Sequence, residues 1–247
     1  MNSINSKNNS FREEPGPSVL YVVGTPIGNL SDLSPRAKKV LSNVSYIACE
    51  DTRHSKLLLK SFGATTPVFS FHQHNTKQQI PKALDLLKSG ASLALISDAG
   101  LPAVSDPGEE LVYEAKNEGF EVICIPGPCA ALTALASSGL PSKRFCFEGF
   151  LPRKKSDRKK LIETISKEER TVLLYESPHR LIKLLEELGE ACGYERPLHL
   201  AKEMTKRFEQ SFGPTILDAI NYFKENKPQG EFTLVLGGSP PPITIKM

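Results

Sequence analysis

Residues 93–108 of the chain read LALISDAGLPAVSDPG, a short apolar run followed at once by a polar loop rich in glycine and proline. Four apolar residues bounded by polar turn residues are typical of a buried strand in a parallel sheet. In an open α/β sheet, ligands bind beyond the carboxyl ends of the strands. The stretch therefore predicts a buried strand that leads directly into a ligand-binding loop, and an Ω-like surface loop is the structural alternative.

The same alternation of apolar runs and helical patterns extends through the first half of the chain. Ser34 before Pro35 is typical of a helix start, because serine caps the first turn and proline fits its first position. Gly63 is typical of a helix end. Strands are predicted at 19–23, 46–49, 68–71, 93–96 and 122–125, and helices at 34–42, 52–62, 76–88 and 109–117. This order predicts a parallel sheet with helices on both faces.

The segment PGPCAALTALASSGL at 126–140 changes the pattern, because its prolines end a strand and a helix of small residues follows. We expect a second α/β domain with a mixed sheet beyond it. Its predicted strands are 145–150, 171–175, 198–201 and 232–236, and its predicted helices lie near 156–166, at 178–188 and near 216–223. The expected division is a disordered tail at 1–17, an N-terminal α/β domain at 18–128, a C-terminal α/β domain at 129–238 and a tail at 239–247.

Composition and charge restrict the class of protein. The 247 residues are 39% hydrophobic and 24% charged, which is ordinary globular composition. No apolar run approaches the roughly 18 residues of a membrane span. The five cysteines are scattered without a C-x-x-C pair, which favours reduced thiols in a cytosolic protein over disulfides or a zinc site. With a net charge of only +3, any nucleic-acid surface must be a local patch.

Loops that are polar or rich in Gly and Pro follow most of the predicted strands. They are GTPIGN (24–29), EDTRH (50–54), FHQHN (71–75), SDAGLPAVSDPG (97–108), PGPCA (126–130), YESPHR (175–180) and KEMTKRFE (202–209). GTPIGN has only two of the three glycines of a dinucleotide fingerprint, which disfavours a nucleotide oxidoreductase. His72 and His74 have a spacing that can hold a metal, but no third ligand supports them, so no metal site is predicted.

The run RKKSDRKK at 153–160 is the most concentrated basic stretch of the chain. Cations at a helix N-terminus oppose the helix dipole, so helix stability does not explain them. Binding of a polyanion does explain them, although a solvated helix start is the alternative. The residues predicted to contact phosphates are Arg153, Lys154, Lys155, Arg158, Lys159 and Lys160.

Five motifs in order carry a family resemblance. They are LYVVGTPIGNLSDLSPRA (20–37), ACEDTRHS (48–55), LISDAGLPAVSDPG (95–108), IPGPCA (125–130) and YESPHR (175–180). Together they resemble the tetrapyrrole methylase superfamily. Within it they resemble the branch that methylates the 2′-hydroxyl of a decoding-site cytidine in small-subunit ribosomal RNA. Members that act on tetrapyrroles often have an aspartate in place of Leu101 and an acidic residue in place of Asn29, so both departures argue against a tetrapyrrole substrate.

The resemblance implies a two-domain α/β fold with S-adenosylmethionine in a cleft between the domains. It also implies a cytoplasmic homodimer whose partner is small-subunit ribosomal RNA or the assembled small ribosomal subunit. The positions that it implies for cofactor contact are Pro26, Ala99, Gly100, Leu101, Val104, Cys129, Ala130, Glu176 and Gly213.

Transfer of a methyl group to a ribose hydroxyl requires the hydroxyl proton to leave as the new bond forms, and a carboxylate can accept it. Among the carboxylates that follow apolar strands, we predict that Asp51 accepts the proton while Arg53 and His54 hold the neighbouring phosphate. Glu50 is the alternative, because adjacent residues at a strand end point to opposite sides. A salt-bridged surface turn is the structural alternative for this segment.

Two other functions stay open. One is a small-molecule methyltransferase of the same fold, for which the basic run would have no importance. The other is an RNA-binding protein that has kept an inactive cofactor site.

Overall fold

The computed structural model describes residues 13–240. The tails predicted at 1–17 and 239–247 therefore lie mostly outside the described residues. Within residues 13–240, no helix is both long and apolar enough to cross a membrane.

Residues 13–17 differ from the predicted disordered tail, because they are bonded to the first helix and the first strand. Glu14 forms an ion pair with Arg36 at 2.6 Å, and its side chain is only 8% exposed. The Gly16 amide donates to the hydroxyl of Tyr21 at 2.9 Å. The ordered structure therefore includes residues 13–17, which precede the predicted domain start.

The first α/β unit is built on a parallel sheet. Its strands are β1 (Val19–Val23), β2 (Tyr46–Cys49), β3 (Val68–Ser70), β4 (Leu93–Ile96) and β5 (Glu121–Ile125). Its helices are α1 (Pro35–Asn43), α2 (Thr52–Ser61), α3 (Thr76–Lys88) and α4 (Glu109–Asn117), with a short 3-10 helix at Leu30–Asp32. The strand order is β3-β2-β4-β1-β5, and every pairing is parallel. The predicted parallel sheet is confirmed.

Local sequence explains why these elements form. The Ser34 hydroxyl accepts a hydrogen bond from the Ala37 amide at 3.0 Å, so α1 begins with the predicted serine cap. All five residues of β1 are buried, with Tyr21 in one hydrophobic core and Leu20 in the core on the other face. A strand covered on both faces must be apolar throughout, which accounts for its unbroken apolar run.

The second unit has a mixed sheet. Its strands are β6 (Phe145–Phe150), β7 (Thr171–Glu176), β8 (Leu198–Lys202), β9 (Gln210–Phe212) and β10 (Phe232–Leu236). Its helices are α5 (Ala130–Ser138), α6 (Lys155–Lys167), α7 (Leu181–Cys192) and α8 (Ile216–Glu225). The order is β6-β7-β10-β8-β9, in which only β6 and β7 pair in parallel. The predicted mixed sheet is confirmed, whereas β9 was not predicted.

The two units are not contiguous in sequence. Residues 26–29 belong to the second unit, although the described chain on either side of them, up to Thr25 and from Leu30 to Gly127, belongs to the first. Ile27 explains this, because it is buried in a core of the second unit with Ala134 and other residues of that unit. The predicted boundary after residue 128 lies one residue from the observed division at Pro128, but it does not account for residues 26–29.

Candidate functional site

The carboxyl ends of the parallel strands bring polar residues to one edge of the first sheet. Thr25 follows β1, Glu50 follows β2, His72 lies two residues after β3, and Ser97 follows β4. Because β4 lies between β2 and β1, the loop at 97–108 leaves from the middle of this edge. This is the place at which α/β sheets bind ligands.

Hydrogen bonds hold the 97–108 loop in one conformation. The Thr25 amide donates to the Gly100 carbonyl at 2.9 Å, and the Gly100 amide donates back to the Thr25 carbonyl at 3.2 Å. Further along, the Ser97 hydroxyl donates to an Asp106 carboxylate oxygen at 2.6 Å. The loop is therefore preorganised by contacts with the residue that follows β1 and by contacts within itself.

The backbone of this loop is strained. Ala103 and Ser105 have left-handed φ angles of 64° and 60°, which side chains other than glycine seldom adopt. Such strain persists only where the surrounding structure fixes it, and it is common in loops that bind ligands. The four positions of the loop predicted to contact the cofactor range from buried Gly100 through half-buried Leu101 and Val104 to exposed Ala99.

Two glycines explain the close approach of the loops after β1 and β5. A Cβ atom on Gly24 would lie 2.7 Å from the Cα of Gly127, and a Cβ on Gly127 would lie 2.7 Å from the Cα of Gly24. Real Cβ atoms essentially never come so close to backbone. These glycines of the GTPIGN and PGPCA motifs are thus required by packing.

Three carboxylates meet at this edge of the sheet. Asp98 accepts a hydrogen bond from the Asp51 amide at 3.1 Å, which fixes it beside the end of β2. Partial burial raises the pKa of Glu50, and the negative charges of Asp98 and Asp106 raise it further. Burial also raises the pKa of Asp106, although its bond from Ser97 opposes that shift. A carboxylate with a raised pKa holds a proton more readily, so Glu50 is suited to accept one.

Asp51 has a different environment. It caps α2 by accepting the Arg53 amide at 2.8 Å, and it forms an ion pair with the Arg53 guanidinium at 2.7 Å. These hydrogen bonds from Arg53 hold the pKa of Asp51 far below its ordinary value. A carboxylate so stabilised in its charged form is a poor proton acceptor. The pKa shifts and hydrogen bonds favour Glu50 over Asp51 as the proton acceptor, and they pair Asp51 with the exposed Arg53.

Apart from Gly213, the predicted cofactor positions of the second unit gather around the end of β7. Ile27, which follows Pro26, packs in one core with Cys129 and Ala130 at the start of α5 and with Tyr175 of β7. The amide of Ala131 donates to the Tyr175 hydroxyl at 3.1 Å. Segments that are far apart in sequence thus meet where the resemblance predicts contact with the cofactor.

Glu176 ends β7 as a fully buried carboxylate. It forms ion pairs with Arg180 at 3.2 Å and with Arg158 at 3.4 Å, and it accepts the Ser177 amide at 2.9 Å. Arg158 also donates to Glu187 at 2.6 Å. The Glu176 carboxylate is therefore paired within its own unit, and its contact with the cofactor stays a prediction.

The prediction that Arg158 contacts phosphate is wrong. Arg158 is 5% exposed and its guanidinium is held by two carboxylates. The helix explains this, because α6 turns Arg158, Ile162 and Ile165 toward the interior of the unit. The other five residues of the basic run remain exposed, namely Arg153, Lys154, Lys155, Lys159 and Lys160.

Gly213 does not join the other predicted cofactor positions of the second unit. A Cβ atom on Gly213 would collide with the carbonyl oxygen of Leu198, at the start of β8. In β10, Phe232 pairs with Glu176 whereas Leu236 pairs with Leu198. Gly213 therefore lies near the opposite end of the strands from Glu176. Four residues at 3.3 Å each place it about 13 Å away along the strand direction.

His72 and His74 contact each other but belong to no group of metal-ligand side chains among the described residues. The His74 amide donates to Nδ1 of His72 at 3.2 Å, which accounts for their proximity. Among residues 13–240, no group of three or more His, Cys, Asp or Glu residues is arranged to hold a metal ion.

Two contributors to this edge of the sheet were not singled out as site residues. Thr25 lies between the glycine and proline of the first motif, and Asp106 lies in the SDPG end of the long loop. Asp106 could have been considered from its place in a Gly- and Pro-rich loop. Thr25 carries no such signal, because its role depends on the pairing with Gly100.

Comparison with known proteins identifies the family. The family model for tetrapyrrole (corrin/porphyrin) methylases matches residues 19–219. A protein of Synechocystis sp. named "Ribosomal RNA small subunit methyltransferase I" is 49% identical over 90% of this chain and 80% of its own length. A protein of the same name from Thermotoga maritima is 45% identical over 89% of this chain and 98% of its own length.

Solved structures show the same fold. The X-ray structure of a cobalt precorrin-4 methyltransferase matches with a TM-score of 0.68 at 16% identity, covering 89% of this chain and 95% of that one. A uroporphyrin-III-C-methyltransferase from Thermus thermophilus matches with a TM-score of 0.59 at 22% identity, covering 88% and 94%. The chain belongs to the tetrapyrrole (corrin/porphyrin) methylase family, together with the relatives named ribosomal RNA small subunit methyltransferase I.

Proposed function

We propose that this protein transfers the methyl group of S-adenosylmethionine to the 2′-hydroxyl of a cytidine ribose in small-subunit ribosomal RNA. The observation that carries the proposal is the identity of 42–49% with relatives that share one name over about nine-tenths of this chain. The choice of a ribose hydroxyl and of cytidine rests on the motifs shared with that branch of the family.

The residues expected to hold S-adenosylmethionine suit such a ligand. Leu101 and Val104 offer half-buried apolar side chains on a loop that is already ordered. In the second unit, Pro26, Cys129 and Ala130 are small or apolar and half-buried. When bound, S-adenosylmethionine supplies an electrophilic methyl group on a positively charged sulfur.

Electrostatics at Glu176 are compatible with a sulfonium ligand. A bare carboxylate beside the sulfonium would stabilise the charged ground state and slow transfer. Arg158 and Arg180 instead neutralise Glu176. This part of the second unit therefore presents no unpaired anion from Glu176.

We assign the proton acceptor to Glu50. Its raised pKa and its place after β2, beside Asp98 and Asp106, distinguish it from the Arg-paired Asp51. In its ionised form, Glu50 can accept the proton of the ribose hydroxyl as the oxygen bonds to the methyl group and the neutral thioether leaves.

The exposed part of the basic run is the surface that we propose for RNA. The side chains of Lys154 and Lys159 are 76% and 79% exposed, and their contacts with Asp157 and Glu163 are surface ion pairs of little strength. Phosphate contacts from such residues position an RNA without reading its sequence.

The decisive experiment offers the purified protein two RNA substrates with labelled S-adenosylmethionine. Deproteinised small-subunit RNA and assembled small subunits lacking the modification are each incubated, digested and analysed by mass spectrometry. We expect 2′-O-methylcytidine from at least one of them. Methylation of neither RNA, together with methylation of a tetrapyrrole, would establish the small-molecule alternative. A melting temperature unchanged by S-adenosylmethionine would instead indicate an inactive cofactor site.

The proposal includes a homodimer in the cytoplasm, as the resemblance implies. Sedimentation of the full chain tests the oligomeric state directly, and a monomer at the concentrations used for catalysis would contradict it.

A further inference from the structure

The KEMTKRFE segment at 202–209 forms one side of an open groove of about 550 Å³ in the second unit. The remaining wall comes from β9 and from the loop before β10, which contribute Gln210 and Gln229. We call this the Phe208 groove, after the aromatic residue on its rim. Neither the proton transfer nor the cofactor contacts proposed above use it.

Phe208 stands out among the aromatic residues of the unit. Its side chain is 67% exposed, and the Arg207 guanidinium lies 5.5 Å from the centre of its ring. Most of the ring is therefore open to solvent beside a cation. Aromatic rings and guanidinium groups are the two surfaces on which proteins stack unpaired bases.

The groove lining has two acidic and two basic side chains, and both acidic ones accept hydrogen bonds from neighbouring groups. Glu203 accepts from the Lys206 ammonium at 3.0 Å and from the Glu231 amide at 2.9 Å. Glu209 accepts the Thr205 amide at 2.7 Å.

Neither Lys202 nor Arg207 of the groove forms an ion pair with a carboxylate in the described part of the chain. Lys202 donates to the neutral amide oxygen of Gln210 at 3.1 Å. Arg207 has no carboxylate partner within the described part of the chain. Lys202 and Arg207 can therefore bind an anion without first breaking an ion pair.

The groove lies beside the turn that carries Pro26. Glu203 and Thr205 have left-handed φ angles of 51° and 65°, a conformation fixed by the bonds of the loop. A Cβ atom on Gly28 would collide with Lys206 and lie 2.8 Å from Thr205 Oγ1, so the loop packs directly on the 26–29 turn.

The register of the sheet places the groove at the same end of the strands as Glu176. Phe232 of β10 pairs with Glu176 on one side and with Lys202 on the other. The groove therefore lies on the side of the unit where the predicted cofactor positions gather, and away from Gly213.

We propose that the Phe208 groove binds one unpaired nucleotide of the RNA substrate, with its base stacked on Phe208 and its phosphate bound by Arg207 and Lys202. The side-chain amides of Gln210 and Gln229 can donate to and accept from the edge of that base. The inference rests on the proposed function, because it assumes that the substrate is RNA. It adds a base-contacting site to the phosphate contacts that we propose for the exposed basic residues of the 153–160 run.

The chain contains no tryptophan, so Phe208→Trp introduces a single fluorescent reporter at the stacking position. Short single-stranded RNA, S-adenosylmethionine and a duplex RNA of equal charge are titrated separately. We expect the single strand to quench the emission more strongly than the duplex, and S-adenosylmethionine to leave it unchanged. Quenching by S-adenosylmethionine alone would assign the ring to the cofactor and overturn the proposal.

Phe208→Ala then measures what the ring contributes. We expect RNA binding to weaken by roughly five-fold to a hundred-fold, the range for loss of one stacked base. Affinity for S-adenosylmethionine, the melting temperature and the slope of RNA affinity against salt should stay as in the unmodified protein. Phe208→Tyr should retain binding, because it keeps the aromatic face.

Tyr113→Ala is the matched control. Tyr113 is 63% exposed, but it lies beside Glu109, Glu110 and Glu114, whose charges repel RNA. If Phe208→Ala and Tyr113→Ala bind RNA equally well while both still methylate it, the groove proposal fails and the proposed function stands. If the unmodified protein methylates no RNA, the proposed function fails first. A change in sedimentation of Phe208→Ala with unchanged RNA binding would make the ring a contact between copies and overturn the proposal.

Discussion

Arg158 provides a sharp test of the structure, because the sequence places it in a basic run and the fold buries it. Arg158→Gln removes the bond to Glu187 and the ion pair with Glu176. Glu176 is fully buried and then keeps the Ser177 amide and one ion pair, with Arg180, whose side chain is 27% exposed. Loss of one partner from a buried ion pair costs about 3–5 kcal/mol of unfolding free energy. The remaining Arg180 favours the lower end, about 3 kcal/mol.

A loss of about 3 kcal/mol lowers the melting temperature of a domain of this size by roughly 6–12 °C. Thermal unfolding followed by circular dichroism measures this shift. Lys159→Gln is the matched control, because Lys159 is the next residue of the same helix and its side chain is 79% exposed. We expect its melting temperature to change by about 1 °C or less, as for most surface substitutions.

In RNA binding, we expect Lys159→Gln to have the larger effect and Arg158→Gln the smaller one. Lys159→Gln should flatten the dependence of RNA affinity on salt, whereas Arg158→Gln should leave that slope unchanged at temperatures where it is folded. The reasoning would be refuted if Arg158→Gln melted like the unmodified protein and flattened the salt dependence. Arg158→Lys should restore only part of the stability, because lysine cannot contact two carboxylates through a planar fork.

Four further predictions concern the proton acceptor, its pH dependence, the contact between two glycines and the basic run. Glu50→Gln should slow single-turnover methyl transfer by about a hundred-fold, the usual scale for a positioned base, while Asp51→Asn stays closer to normal. Because a base must be deprotonated to act, the transfer rate should rise with pH through the raised pKa of Glu50, and Glu50→Gln should lose this rise. Gly24→Ala should lower the melting temperature by several degrees, since its Cβ would meet the Gly127 backbone; a normal melting temperature would contradict the close approach. The exposed basic residues of the run are Arg153, Lys154, Lys155, Lys159 and Lys160. Neutralising them together should flatten the salt dependence of RNA binding without changing the affinity for the cofactor. An unchanged slope would mean that these residues form only a solvated surface.

Much of the fold could be predicted from local sequence. Each strand of the first sheet is a short, largely apolar run, and helix signals such as Ser34-Pro35 act over a few residues. The three-residue β9 could not be predicted in the same way. Gln210–Phe212 has no distinctive pattern, and it becomes a strand only because β8 pairs with it.

The site was less predictable because its chemistry depends on neighbours that are distant in sequence or on helical phase. The pKa of Glu50 is raised first by partial burial and then by the charges of Asp98 and Asp106, about fifty residues away. Burial of Arg158 could have been foreseen, because Arg158, Ile162 and Ile165 follow the i, i+4, i+7 spacing of an inward helix face. The run was interpreted by its density of positive charge rather than by this helical spacing.

The assignment of residues 26–29 to the second unit has a consequence for protein engineering. A fragment that starts at Pro128 lacks Ile27, so its core among Ala131, Leu135 and Val235 would be left with a cavity. Chimaeras of two homologues joined at Gly127 would pack Ile27 of one parent into a core that comes from the other parent. A successful recombinant should therefore inherit residues 26–29 and the C-terminal half from the same parent, with two crossovers flanking the short segment in addition to the one at the unit boundary.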